Sequence, residues 1–337
     1  MQLRLLLIAA TILLTIGCST STEPVKEYVE GPLVGRVVYG SHDYIKGYTV
    51  YSERADGTDK RKLLDSAMPL SPVCSGRIAV RRTTAANFKS TDRFEIVDLA
   101  NGVRYDHGAG HGLHYYKVDL TTEFFLLSPD GEIVATRDTA TGEVFVARFD
   151  GTGRRSLGIN AMKGTAPRFS PDGKWLAVGT IGDSFKLQIA GIDHAETRTL
   201  AVATEYTLFS GFSWTSDSRT LLYDRSTLAI GRVDIDGSNQ SENPASYIAS
   251  PDIEPNGQRV VCLNLPNSEV VLLNNNGTMR ILVQPPVNGG SGSAPRWSPD
   301  GKRVLSISYR TSMSIINPVT LEYWDRDVVV AAFWSLE

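Results

Sequence analysis

Three of the chain's five histidines fall within eight positions, in Tyr105-Asp106-His107-Gly108-Ala109-Gly110-His111-Gly112-Leu113-His114-Tyr115-Tyr116. Imidazole nitrogens gathered this way suit a transition metal, with Asp106 and Asp119 as the nearby groups to orient the rings. The tyrosines suit a different task, since a phenol ring stacks on a sugar face. Gly108, Gly110 and Gly112 let the backbone turn and bring the histidines near one another. The segment is the candidate ligand-binding loop, with Tyr105, His107, His111, His114, Tyr115 and Tyr116 as its contact residues. An extended hairpin with exposed histidines is the plainer reading. No metal or other cofactor is assigned to it.

Other chemistry is excluded by its absence. No nucleophile elbow, His-Glu-x-x-His pair, phosphate-binding loop, Cys-x-x-Cys pair or Ser-x-x-Lys occurs in the chain. The aspartate of the recurring Ser-Pro-Asp-Gly sits inside a repeated turn, which makes it structural rather than half of a catalytic carboxylate pair. Asp234-Ile235-Asp236-Gly237-Ser238-Asn239 has the look of a short calcium loop. The same Asp-Gly recurs at Asp56-Gly57 and Asp150-Gly151 without extra oxygen ligands, so a tight hairpin turn is expected instead. Arg81-Arg82 and Arg154-Arg155 read as solvated turn or strand-end residues rather than an anion site. A formal net charge of −3 provides no basic field for nucleic acid.

Arg4 precedes the apolar run Leu5 to Ile16, which is too short to span a bilayer and the right size for a signal-peptide core. The run ends Leu14-Thr15-Ile16-Gly17-Cys18-Ser19, which resembles a bacterial lipobox. The resemblance implies a signal peptide over residues 1–17 and a mature N-terminus at an acylated Cys18. The expected location is the cell envelope, with the lipid as the sole membrane attachment, in the outer membrane if the envelope has two. Residues 18–32 are polar and aperiodic and read as a flexible tether. Cys74 and Cys262 remain, and both are expected to be free thiols.

The elements that must position the candidate loop come from a repeat. Ala294-Pro295-Arg296-Trp297-Ser298-Pro299-Asp300-Gly301-Lys302 occurs nearly unchanged as Ala166-Pro167-Arg168-Phe169-Ser170-Pro171-Asp172-Gly173-Lys174. Weaker copies surround Ser128-Pro129-Asp130-Gly131, Thr215-Ser216-Asp217-Ser218, Glu254-Pro255-Asn256-Gly257 and Ser71-Pro72-Val73-Cys74-Ser75-Gly76. In most of them an apolar stretch meets a turn in which proline pre-sets φ and glycine takes positive φ, and an apolar stretch follows; the copy at Thr215 keeps the frame but loses the glycine. The turns at residues 76, 131, 173, 218, 257 and 301 are 55, 42, 45, 39 and 44 residues apart. That is the spacing of about 40–50 residues expected for propeller blades. The longest step contains the histidine segment.

The repeat resembles the TolB-like, WD-like family of β-propeller repeats over nearly the whole chain from about residue 33. The resemblance implies an all-β fold: a seven-bladed β-propeller of four-stranded antiparallel blades in one domain, residues 33–337. The chain enters at a post-turn strand, Gly35 to Tyr39, and leaves on an aromatic-Ser strand, Ala331 to Ser335. The two ends complete each other, so the C-terminal strand is expected to close the ring. By the same resemblance the function is binding of an envelope protein, peptide or glycan by a monomer. The alternative is a metal-dependent polysaccharide lyase of the oligogalacturonate type, in which His107, His111 or His114 converge with His42 or His194.

Overall fold

The computed structural model describes residues 26–27 and 35–335, apart from 44–46, 83–92, 110–123, 139, 163–166, 204–210, 226–228, 245–247, 265–266, 275–277, 284–293, 308–311 and 328. The expected signal peptide, Cys18 and most of the tether lie outside these residues.

Among the described residues every element is a strand. The first described element is β1 (Lys26–Glu27), and blade one follows with β2 (Arg36–Asp43), β3 (Gly47–Arg54) and β4 (Arg61–Asp65). Blade two is β5 (Ala67–Cys74), β6 (Arg77–Arg82), β7 (Arg93–Asp98) and β8 (Arg104–Ala109). Blade three is β9 (Phe125–Leu127), β10 (Ile133–Arg137), β11 (Glu143–Arg148) and β12 (Arg155–Asn160). Blade four is β13 (Arg168–Phe169), β14 (Trp175–Ile181), β15 (Phe185–Gly191) and β16 (Thr197–Ala203). Blade five is β17 (Phe212–Trp214), β18 (Thr220–Arg225), β19 (Ala229–Asp234) and β20 (Ser241–Pro244). Blade six is β21 (Ile248–Ile253), β22 (Arg259–Asn264), β23 (Glu269–Asn274) and β24 (Met279–Val283). Blade seven is β25 (Arg296–Trp297), β26 (Val304–Ile307), β27 (Ser312–Ile316) and β28 (Tyr323–Asp327), and β29 (Val329–Trp334) ends the chain.

The ring closes as the chain ends suggest. β29 pairs antiparallel with β2, Trp334 opposite Val37 and Phe333 opposite Val38, and becomes the innermost strand of blade one. The Ser335 amide donates to the Arg36 carbonyl at 2.9 Å. On the outer side, β1 adds in parallel to β4, with Lys26 opposite Arg61, and makes blade one five-stranded.

Each blade buries both faces, and the sequence shows it as alternation with two apolar phases. On β14, Trp175 and Ala177 join a cluster shared with Phe212, Trp214 and Tyr223 of blade five. Leu176 and Val178 join one shared with Ala135, Val144 and Val146 of blade three. Seven such clusters occupy the seven blade-to-blade junctions, including the one between blades seven and one. The core is therefore a circle of apolar wedges around a central channel, and burial on both strand faces holds the innermost strands in place.

The repeated turn is internally satisfied. Ser170 Oγ donates to Asp172 Oδ1 at 2.6 Å and accepts from the Trp175 amide, while Asp172 Oδ1 also accepts from the Lys174 amide. The same set recurs at Ser128/Asp130 and Ser298/Asp300, and with threonine at Thr215/Asp217. Ser218 takes the glycine position with φ of 60°. These carboxylates are consumed by their own turns, as their place in the repeat predicts. Cys74 and Cys262 are buried thiols outside any disulfide, and burial pushes the Cys262 thiol up to about 12.

Candidate binding site in the central channel

The innermost strands run toward the Ser-Pro-Asp-Gly turns, so the residue just before each strand's final aromatic or apolar residue holds one level of the channel. Register identifies these residues. Arg168 lies opposite Ala177, Ser213 opposite Leu222, Asp252 opposite Val261, Arg296 opposite Leu305, Leu126 opposite Ala135 and Phe333 opposite Val38. Blades four to seven therefore supply Arg, Ser, Asp and Arg at this level, and blades one and three supply Phe and Leu.

Asp252 ties the polar half together. Its Oδ1 takes a hydrogen bond from Arg168 Nη1 at 3.0 Å and one from Ser213 Oγ at 3.2 Å, and lies 3.6 Å from Arg296 Nη1. Its Oδ2 accepts from the Trp297 amide at 2.8 Å. Ser213 Oγ in turn accepts from the Ile253 amide at 3.0 Å. Arg168 and Asp252 belong to blades four and six, so their contact skips a blade and crosses the interior of the ring. A register shift in β21 between Ala249 and Asp252, with Ser250 at φ 54°, accompanies this placement.

The electrostatics are asymmetric. The Asp252 side chain keeps 11% of its surface, whereas those of Arg168 and Arg296 keep 23% and 29%. Burial pushes the Asp252 carboxyl above the usual carboxylate range, opposed by the charge of Arg168 and the hydrogen bonds it accepts. Two guanidiniums share one carboxylate, and arginine stays charged at any ordinary pH. The cluster is net cationic even with Asp252 ionised. Among the described residues, Arg296 Nη1 has besides Asp252 only the Pro295 carbonyl at 3.3 Å, and Arg168 has no second side-chain acceptor. A planar, forked donor with spare N–H groups facing water is a receptor for an anion.

The residues singled out from the sequence lie elsewhere. Tyr105 and His107 are on β8, the outermost strand of blade two, not in a loop: Tyr105 pairs with Ile96, and Asp106 with Glu95. The Tyr105 ring meets Phe149 edge-on at 5.1 Å. His107 Nε2 lies 2.8 Å from the Phe149 carbonyl, and its ring meets Phe125 edge-on at 5.2 Å. Both side chains thus pack at the junction with blade three. Asp106 is held by Arg93 at 2.6 Å and by the Gly108 amide, rather than by an imidazole. Strong pairing with Arg93 keeps its carboxyl below the usual range. His111, His114, Tyr115, Tyr116 and Asp119 lie outside the described residues, in the connection from β8 to β9. The His42 ring lies tilted against Tyr48 at 4.5 Å beside the β2–β3 hairpin, and His194 lies between β15 and β16 against Trp175 and Glu196. Those hairpins are on opposite faces of the ring. Among the described residues, no three His, Cys, Asp or Glu groups gather as a metal site.

Two further expectations are settled by geometry. Asp236 Oδ1 accepts from the Ser238 amide and hydroxyl, as Asp56 and Asp150 do from Thr58 and Thr152, so all three are hairpin turns. Arg81 departs from its expected solvated role: it is 7% exposed, while its neighbour Arg82 pairs with the buried Glu95. The channel cluster itself had a signal in the sequence. Both strong repeat copies carry Arg at the same place, Arg168 and Arg296, where the turn makes no demand for it.

No protein-family model and no curated protein sequence matches the chain. Solved structures do match in fold. TolB from Acinetobacter baumannii aligns with a TM-score of 0.54 at 17% identity, over 91% of this chain and 68% of that one. A putative 6-phosphogluconolactonase from Bacteroides uniformis aligns at 0.58 and 16% identity, over 88% and 98%. The periplasmic gluconolactonase of Pseudomonas aeruginosa aligns at 0.57 and 14%, over 89% and 96%. At these identities the likeness is one of fold, a seven-bladed β-propeller.

Proposed function

We propose that this protein is an envelope lipoprotein whose propeller serves as a binding module for an envelope protein or peptide. The observation that carries the binding reading is the Arg168–Asp252–Arg296 cluster. It is polar, reached by water, and placed where four innermost strands converge on the channel. A ring held by seven apolar junctions presents such groups with little loss of freedom on binding, which is the physical advantage of a rigid scaffold. The anchoring reading rests on the apolar run ending at Gly17-Cys18, where two acyl chains suffice for stable membrane attachment. The parallel pairing of Lys26–Glu27 on β4 supports a short approach from anchor to ring. Residues 110–123, with His111, His114, Tyr115 and Tyr116, add to the binding surface in this reading.

Labelling with a radioactive fatty acid followed by cross-linking in native membranes tests both halves. Wild-type protein incorporates label and cross-links to one envelope component, and Cys18→Ser loses the label. Equal label in both, or cross-linking no different from that of an unrelated anchored protein, overturns the reading.

A further inference from the structure

Resting on that binding reading, we infer that the channel selects an acidic peptide segment: a carboxylate seated on Arg168 and Arg296, with an apolar neighbour against Phe333 and Leu126. The first argument is stoichiometry. Two guanidiniums flank the same Oδ1 of Asp252, at 3.0 and 3.6 Å, which leaves one positive charge without a counter-charge in this cluster. A site built for structure alone is satisfied by one arginine and one aspartate. The second arginine comes from a different blade, and its guanidinium stays part-exposed instead of closing over the pair.

The second argument is the division of the ring. At one register level the innermost strands carry two part-exposed arginines with the buried Asp252 and Ser213 on one side, and on the other Phe333 and Leu126, both part-exposed, Leu126 also packing on the apolar junction of blades three and four. A free inorganic anion gains nothing from the apolar side, and a uronic acid presents hydroxyls there that find no partner at those two side chains. A peptide in which Glu or Asp stands beside Leu, Ile or Phe satisfies both sides. Bidentate guanidinium–carboxylate pairing then gives direction as well as affinity.

Asp252 has a definite part in this arrangement. It occupies the arginines, so an incoming carboxylate competes with it for their donors. Replacing its charge while keeping its shape frees those donors for the ligand. A purely structural Asp252 predicts the opposite, because its loss would only loosen four blades.

The test is titration of the full mature protein in detergent, followed by tryptophan fluorescence and thermal shift. The probes are the blocked peptides Ac-Leu-Glu-Leu-amide and Ac-Leu-Gln-Leu-amide, and trigalacturonate. The glutamate peptide is expected to bind at least tenfold tighter than the glutamine peptide, with affinity falling as salt rises. Asp252→Asn is expected to bind it more tightly than wild type. Arg168→Gln/Arg296→Gln is expected to lose it, and the triple variant with Asp252→Asn added does the same while avoiding an unpaired buried carboxylate. Circular dichroism and the melting temperature report that each variant is folded. Equal binding of the two peptides, no binding of either, preference for trigalacturonate, or unchanged binding by the folded triple variant overturns the inference. Cross-linking in native membranes separates this from the broader reading: a partner captured equally by wild type and the triple variant leaves a binding module that does not use its channel.

Discussion

Ring closure makes a prediction that can be sized from the structure. Trp334 lies at the end of the chain, yet it is 5% exposed and packs with Val37, Tyr39, Leu305, Met313 and Ile315 across the junction of blades seven and one. Its indole Nε1 donates to the Arg296 carbonyl at 3.1 Å. Trp214 in blade five makes the equivalent bond to the Arg168 carbonyl at 3.2 Å and is 7% exposed. Truncating a buried Trp to Ala costs about 3–5 kcal/mol. Loss of the indole hydrogen bond to a carbonyl that keeps its strand pairing adds about 0.5–1.5 kcal/mol. Set against a typical total of about 5–15 kcal/mol, Trp334→Ala should lower the melting temperature on the order of 10 °C. Trp214→Ala should cost a similar amount, and the hydrogen bond lost in Trp334→Phe should cost about 0.5–1.5 kcal/mol. The assay is thermal unfolding by circular dichroism with urea titration alongside. If the C-terminal strand were a fraying tail, Trp334→Ala would leave the midpoint within a degree or two of wild type while Trp214→Ala fell. That pattern would refute closure by β29.

Two other outcomes follow from side chains already described or adjoining them. Asp59 bonds Arg61 Nη2 at 2.7 Å and Arg36 Nη1 at 2.8 Å, and these partners hold its carboxyl down at about 2. A depressed folded pKa stabilises above the unfolded value and is lost as pH falls through the folded one, so Asp59→Asn should lower stability at neutral pH and flatten the decline between about pH 4 and 2. Melting temperature against pH reads this, and parallel curves for the two proteins would contradict it. Gly231 lies opposite the fully buried Tyr223, whose ring occupies the space of an added Cβ. Gly231→Ala should therefore destabilise by about 1–3 kcal/mol through overpacking of blade five, and a neutral result in urea titration would show that the ring can move aside.

The repeat made the fold legible because each turn is a local device. Ser-Pro-Asp-Gly encodes its own hydrogen bonds, and the alternating apolar phases of β14 encode two buried faces. Closure was legible for a different reason, since an unmatched first strand and an unmatched last strand are complementary. Tyr105 and His107 were read as part of a loop because glycines cluster around the histidines, and the structure places both on β8. Their strand character depends on pairing with Ile96 and Glu95 and on the Phe149 ring of the next blade, which local sequence does not display. The channel cluster depends on contacts between residues 84 positions apart, Arg168 to Asp252, across a ring that brings blades four and six together. Equivalence of Arg168 and Arg296 was visible in the repeat. The acid between them was hidden in the weak copy around Glu254-Pro255-Asn256-Gly257.

The central claim is that a partner engages the channel rather than the outer rim, and in-cell photo-crosslinking tests it most directly. A photoreactive residue is placed at Leu126, on the channel level, and separately at Val202, exposed on the outermost strand of blade four. The account predicts a discrete adduct from position 126 that disappears with Arg168→Gln/Arg296→Gln, and none from position 202. An adduct from position 202 with none from 126, in a folded ring, would contradict it.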